Sequence, residues 1–239
     1  MQTMASLQCR AMEIVHVRLI AMTTTTMTAP RTLRDLIPQV RGDQTKATSM
    51  VTNVALMVGF ALFTAAMAQV SFKLSFTPVP ITGQTLAVLL SGATLGTMYG
   101  AGSQIIYLVS GLFLPFYADQ SHGWDVLKGA SGGYIVGFVV AAALVGYLSE
   151  RKNDRNVITA TVSFVAASAV IYIFGALWLA HVMNIPVFAD LAGRPSAVTY
   201  GVAPFIVGDI VKAAVAGLIL PGSWLLVSRI RKENSTSEQ

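Results

Sequence analysis

Two charged residues, Asp209 and Lys212, lie within the stretch FIVGDIVKAAVAGLILPG, which otherwise has the composition of a membrane-spanning helix. A charge at the centre of a bilayer costs at least about 2.5–3.5 kcal/mol on insertion scales, so such residues usually have a function. At a spacing of i, i+3 the two side chains share one helix face and can neutralise each other. Such a pair would face the helix bundle or a watery cavity, where it could bind a polar group of a small molecule. The alternative is a structural ion pair that fixes helix register.

The composition indicates an integral membrane protein. Apolar residues make up 54% of the 239 residues and charged residues only 11%, too few to cover a soluble globule. The formal net charge of +5 does not indicate nucleic-acid binding, because the positive charges cluster at segment ends and form no basic stripe with aromatic residues. The single cysteine, Cys9, allows no internal disulfide.

Hydrophobic segments divide the chain into three parts. Residues 1–49 are polar and carry several arginines, which is typical of a disordered extension. Residues 50–228 form one membrane domain, and residues 229–239 form a basic tail. Since a span needs about 20 mostly apolar residues, the domain is predicted to contain six transmembrane helices, at residues 51–72, 85–98, 101–117, 133–148, 157–182 and 202–227.

The distribution of positive charge predicts the orientation. With six spans, both termini and the 4–5 loop lie on one side, which collects twelve Lys and Arg residues. The opposite side has three, Lys73, Lys128 and Arg194. By the positive-inside rule both termini are cytoplasmic, and the loop that contains Pro78 and Thr82 faces outward.

Motifs for catalysis, nucleotide binding and metal binding are absent from the sequence. No G-x-x-x-x-G-K-[ST] occurs, so the chain is not expected to hydrolyse ATP by itself. No H-E-x-x-H, no G-x-S-x-G and no Cys/His cluster is present, and the three histidines lie far apart. We therefore expect neither an enzyme nor a bound metal or cofactor.

Small residues form two further patterns. GASGGYIVGF, residues 129–138, opens the fourth span, where its glycines favour either close helix packing or binding of an anionic group by free backbone amides. Ala61 and Ala65, spaced i, i+4 on the first span, favour either internal packing or docking of a partner helix. Spacing alone leaves both questions open.

Four segments closely resemble the biotin-transport S-component family, the BioY family, of energy-coupling factor (ECF) vitamin importers. They are PVPITGQTLAVLLSGATLG (78–96), SQIIYLVSGLFLPFYA (103–118), GASGGYIVGF (129–138) and GDIVKAA (208–214), in the same order across nearly all of residues 50–228. Family patterns often read G-P-T-G-G-Y where this chain has GASGGY, which keeps the glycines and Tyr134.

The resemblance implies an ECF S-component-like bundle of six helices in the bacterial cytoplasmic membrane. It implies biotin as the transported ligand, captured at the outer face, and three partner subunits: a transmembrane coupling subunit and two ABC-type ATPases. The family's small-residue face on the first helix matches Ala61 and Ala65, which favours the docking interpretation of these alanines.

Under this interpretation the ureido ring of biotin is held by Asp209 and Lys212. Tyr134 and the backbone of Gly132 and Gly133 line the same pocket, and Phe116 packs on the apolar rings. Thr82 and Gln84 contribute from the outward loop. The partner of the valerate carboxylate is left open between Lys128 and backbone amides near Gly132. Such a site matches the usual pocket, mostly apolar with a few placed polar groups.

Two other functions fit parts of the sequence. A stand-alone permease could couple biotin to protons through Asp209. An intramembrane enzyme could use Asp209 and Lys212 as acid and base, but the predicted spans offer it no second carboxylate, nucleophile or metal set.

Overall fold

The computed structural model describes residues 30–37, 46–190 and 195–237, without the side chains of 46 and 230–237. Much of the predicted N-terminal extension therefore lies outside the described residues. In the described part of this extension, residues Leu33–Leu36 form a 3₁₀ helix, and the first α-helix begins at Lys46.

The described residues are mostly helical. The α-helices are α1 Lys46–Gln69, α2 Gln84–Leu95, α3 Thr97–Ser110, α4 Trp124–Lys128, α5 Gly132–Glu150, α6 Val157–Met183, α7 Ala197–Gly201 and α8 Ile206–Ser237. Further 3₁₀ helices occur at Ala118–Gln120, Asn153–Arg155 and Ala203–Phe205. Between α1 and α2, strands β1 Ser71–Phe72 and β2 Ile81–Thr82 form an antiparallel pair in which Ser71 lies opposite Thr82.

Four segments of the described chain are long and apolar enough to cross a membrane. They are Ala47–Gln69, Gly132–Glu150, Val157–Met183 and Ala197–Arg229. Helices α2 and α3, with 12 and 14 residues, coincide with the second and third predicted spans but are shorter than the roughly 20 residues that a full crossing needs. The prediction of a helical membrane protein is thus confirmed, whereas its count of six crossings is not established by helix length.

The boundary between α2 and α3 differs from the prediction. The predicted second span ends at residue 98 and the third begins at residue 101, but α2 ends at Leu95 and α3 begins at Thr97 because Gly96 alone, at φ +84°, redirects the chain. A residue with a side chain rarely adopts this conformation, and glycine does so readily. At the other end α3 stops at Ser110 rather than at residue 117, and Pro115 follows, which disfavours helix before it.

Helix α5 lies at the centre of the bundle, in contact with α2, α3 and α6. Its small residues permit this close packing: a Cβ on Gly146 would clash with the backbone of Gly96 and Thr97, and Ala142 lies directly against Gly92 of α2. Small residues at such contacts let membrane helices approach closely. Helix α1 packs on α3 and α2, and α8 packs on α6 and α2.

A buried polar cluster connects α1, α2 and α3. The side-chain amide of Gln104 is fully buried, and its nitrogen lies 2.9 Å from the Ser91 hydroxyl, 3.2 Å from that of Ser103 and 3.3 Å from that of Thr64. Its two N–H donors are thus shared among three acceptors. Each hydroxyl also donates to a backbone carbonyl of its own helix. Gln104 Oε1 has no hydrogen-bond partner.

The alanines proposed for partner docking pack inside the chain. Ala61 and Ala65 are 2% and 6% exposed and belong to the hydrophobic core. The outward side of α1 instead presents Ala55 and Gly59, and a Cβ built on Gly59 would meet nothing within 4 Å. The docking prediction for Ala61 and Ala65 is therefore corrected to internal packing, the other alternative that the spacing allowed.

Candidate functional site

One end of the bundle, where α2, α5 and α8 begin, contains a cavity of about 380 Å³. Five of the predicted site residues line it: Thr82, Gln84, Tyr134, Asp209 and Lys212. Apolar side chains contribute much of the remaining wall, among them Val79, Ile135, Phe138 and Ile171. We call this end of the bundle the cavity end.

The predicted ion pair is formed on α8. Lys212 Nζ lies 2.7 Å from Asp209 Oδ1, and the Asp209 side chain is only 7% exposed. The first two turns of α8 place both residues on one face, as the i, i+3 spacing predicts. Because the pair lines the cavity rather than the outer surface, it is available to a bound molecule.

Lys212 is fully engaged by the protein. Besides Asp209, Nζ donates to the Thr82 carbonyl at 2.7 Å and to Thr85 Oγ1 at 3.0 Å. An ammonium group has three N–H donors, so each of them has an acceptor. Lys212 thus ties α8 to the start of α2, and it would have to release one of these acceptors to donate to a ligand.

Asp209 accepts hydrogen bonds from two further side chains that the sequence analysis did not identify. Thr85 Oγ1 donates to Oδ1 at 3.0 Å, and the Tyr172 hydroxyl donates to Oδ2 at 2.6 Å. A carboxylate offers about four lone-pair positions. The three donors, Lys212, Thr85 and Tyr172, leave one position on Oδ2 for a ligand N–H.

Thr82 and Gln84 form a second polar group of the lining. Thr82 Oγ1 donates to Gln84 Oε1 at 2.8 Å, and Gln84 Nε2 donates to the Tyr107 hydroxyl. Gln84 is 6% exposed, so its amide is oriented by Tyr107 on α3 before any ligand binds. Thr82 lines the cavity from β2, and Gln84 lines it from the first position of α2.

The residues predicted from GASGGY divide between two roles. Tyr134 lines the cavity with its ring, and its hydroxyl donates to the Gly201 carbonyl at 2.8 Å, which links α5 to α7. Gly132 and Gly133 do not line the cavity; a Cβ on Gly133 would clash with Trp178 and with the Phe174 carbonyl on α6. These glycines therefore serve helix packing, and the motif contributes Gly129, Ala130 and Ser131 to the lining instead.

Two further predictions are corrected in position. Phe116 packs against the hydrophobic core, while its neighbour Tyr117 lines the cavity. Lys128, one of the two candidates for the ligand carboxylate, is exposed at the end of α4 and is not part of the lining. The lining contains a different lysine, Lys73, which follows β1.

The described residues contain no group of three or more His, Cys, Asp or Glu side chains that could hold a metal ion. The cavity instead combines one buried carboxylate, oriented hydroxyl and amide groups, and an apolar wall. Chemically, this arrangement can bind a small, mostly apolar molecule and hydrogen-bond its polar groups.

Comparison with known proteins places the chain among transport proteins. A profile of the BioY family matches residues 39–229. The biotin transporter BioY of Rhizobium etli is 34% identical over 155 residues, which are 62% of this chain and 79% of the relative. The probable biotin transporter BioY of Pyrococcus horikoshii is 36% identical over 167 residues, 70% of this chain and 92% of the relative.

A solved structure has the same fold. The crystal structure of the S-component for biotin from an ECF-type ABC transporter matches with a TM-score of 0.65 at 24% identity, over 79% of this chain and 95% of that one.

The fold and the site define a multi-pass membrane protein with an internal binding site for a small molecule. The family match then identifies the chain: it belongs to the BioY family, as its sequence motifs predicted.

Proposed function

We propose that this protein is the biotin-binding subunit of an ECF-type importer. The observation that carries the proposal is the Asp209–Lys212 pair, held by Thr85 and Tyr172 in the wall of a largely apolar cavity. Biotin is proposed as the ligand because the relatives are a biotin transporter and a probable biotin transporter. At about 380 Å³ the cavity falls in the usual range of roughly 300–1,000 Å³ for small-molecule sites.

The proposed pose follows from the donors and acceptors. A ureido N–H would donate to the open lone pair of Asp209 Oδ2, beside the Tyr172 hydroxyl. Thr82 and Gln84 would contact the ligand from the start of α2, and Tyr134 would pack on its apolar rings. Lys212 acts here as a positioning residue, since its three donors already hold Asp209, Thr85 and the Thr82 carbonyl.

The membrane arrangement that this function needs has six crossings, with the cavity end outside. Helices α2 and α3 would provide the two short crossings. The opposite end carries Arg34, Arg151 and Arg155, consistent with a cytoplasmic location under the positive-inside rule. Both termini would then lie in the cytoplasm of a bacterial cell.

Transport requires energy from other subunits under this proposal. A transmembrane coupling subunit and two ABC-type ATPases would supply it, since the sequence contains no phosphate-binding loop.

We propose the face of α1 with Ala55 and Gly59 as the surface on which the coupling subunit docks, because this face is exposed and small residues allow close helix contact. No catalytic role is assigned to any residue.

The test is biotin uptake by proteoliposomes that contain this chain, with and without the coupling subunit and ATPases. Uptake that requires all subunits and ATP supports the importer. Uptake by the chain alone that is abolished by an uncoupler would contradict it and favour the proton-coupled permease, for which Asp209 is the candidate proton carrier.

A further inference from the structure

A second ion pair lies at the cavity, separate from the Asp209–Lys212 pair and outside the proposed ureido site. Lys73 Nζ, in the segment after β1, lies 2.8 Å from Asp119 Oδ2, in the 3₁₀ helix Ala118–Gln120. Both residues line the cavity. Together with the Asp209 group, this pair gives the lining a second place where a charged ligand group could bind.

The backbone at Asp119 is held in an unusual conformation. Asp119 and Gln120 are consecutive non-glycine residues with φ +56° and +57°. Such conformations persist only where the surroundings enforce them, and they cluster at functional sites. Here Gln69 at the end of α1 enforces them, because its Oε1 accepts from the Gln120 amide at 3.0 Å and its Nε2 donates to the Tyr117 carbonyl at 3.1 Å.

The two lysines of the lining differ in what they can still bind. Lys212 uses all three donors on protein acceptors. Lys73 has a single acceptor among the described residues, Asp119, and its side chain is 73% exposed. Lys73 is therefore the cation of the lining that can accept an incoming carboxylate without losing buried contacts.

We propose that Lys73 binds the carboxylate of the ligand and that Asp119 competes with it for the same ammonium group. This inference rests on the proposed function, because it takes the valerate carboxylate of biotin as the incoming anion. Exchange is feasible because exposed ion pairs contribute little net stability. The hydrogen bond from Lys73 holds the pKa of Asp119 below its usual value, so Asp119 stays ionised and competes at neutral pH.

The test compares biotin with biotinamide, its neutral carboxamide, by titration calorimetry on the purified full-length chain. Wild type is expected to prefer biotin. Lys73→Met should weaken biotin binding by about tenfold, the lower range for a charge-assisted hydrogen bond, and leave biotinamide binding nearly unchanged. Lys73→Arg should keep the preference. Asp119→Asn, which tolerates the same backbone conformation, should strengthen biotin binding a few-fold and leave biotinamide binding unchanged.

Lys128→Met is the matched control, since Lys128 lies at the same end of the bundle but outside the lining. It should behave as wild type. An unchanged preference for biotin in Lys73→Met would overturn the proposal and assign the carboxylate to the backbone amides that precede α5. The absence of any preference in wild type would also overturn it. Failure of the biotin assignment itself has a different signature, since wild type would then bind neither compound.

Discussion

The Tyr172 hydroxyl of α6 donates a hydrogen bond of 2.6 Å to Oδ2 of Asp209 on α8, across 37 positions of sequence. Asp209 Oδ1 is occupied by Lys212 and Thr85, so Tyr172 orients the one carboxylate oxygen that remains available to a ligand. The Asp209 carboxylate is thus held in place by side chains of α2, α6 and α8.

Tyr172→Phe is expected to weaken biotin binding by about tenfold, since the variant loses one hydrogen bond to a charged acceptor, worth about 1.5 kcal/mol. Titration calorimetry measures the effect. Tyr147→Phe is the control, because Tyr147 is 44% exposed on α5 and does not line the cavity. Equal affinities of Tyr172→Phe and wild type would show that this hydroxyl does not prepare Asp209 for the ligand.

Removal of Lys212 alone is expected to destabilise the protein more than removal of both charges. Lys212→Met leaves the buried Asp209 carboxylate without its counter-ion, which typically costs about 3–5 kcal/mol. The double variant Asp209→Asn/Lys212→Met leaves no buried charge and should recover much of that loss.

Thermal unfolding in detergent, monitored by size-exclusion chromatography, ranks the stability of wild type, Lys212→Met and the double variant. If the double variant is as unstable as Lys212→Met, the two charges do not compensate each other, and the ion pair is not the source of the stability.

Gln104→Met is expected to stabilise the protein by about 1 kcal/mol, because it removes a buried acceptor that has no partner. The three hydroxyls around Gln104 keep their backbone acceptors in the variant. Gln104→Glu, of similar size, should destabilise instead because it brings a carboxyl group into the same place. Thermal unfolding of both variants tests this, and a loss of stability in Gln104→Met would mean that the cluster is stabilising as a whole.

The docking surface on α1 can be tested with bulky substitutions on two faces. Gly59→Leu places a side chain in open space, so biotin binding by the isolated chain should be unchanged while ATP-driven uptake falls severalfold. Ala61→Leu, two positions away, should instead disturb the core and lower thermal stability. Normal uptake by Gly59→Leu would exclude this face from docking.

Much of the site was predictable because charges are rare in an apolar sequence. Asp209 and Lys212 are conspicuous in α8, and their spacing already implied a pair. Tyr172 and Thr85 are ordinary residues in their own segments. Their role depends on how α6 and α2 pack against α8, which no local pattern specifies.

The small residues show where sequence patterns are ambiguous in a membrane. Helix α1 carries small pairs on two faces, Ala55 with Gly59 and Ala61 with Ala65. Lipid and protein core are both apolar, so hydrophobic periodicity does not distinguish the buried face from the exposed one. The same ambiguity applies to Gly132 and Gly133, which pack on α6 rather than line the cavity.

The proposed function depends most on Asp209, which is proposed to bind the ureido group of biotin. Titration of the purified chain with biotin, without ATP or partner subunits, should show selective one-to-one binding, with thiamin as the negative control. Asp209→Asn, which keeps the shape and removes the charge, should weaken that binding roughly 10- to 100-fold, as expected for a hydrogen bond to a charged group. Unchanged affinity in a folded Asp209→Asn variant would contradict the account, as would the absence of biotin binding by a folded, monodisperse wild-type protein.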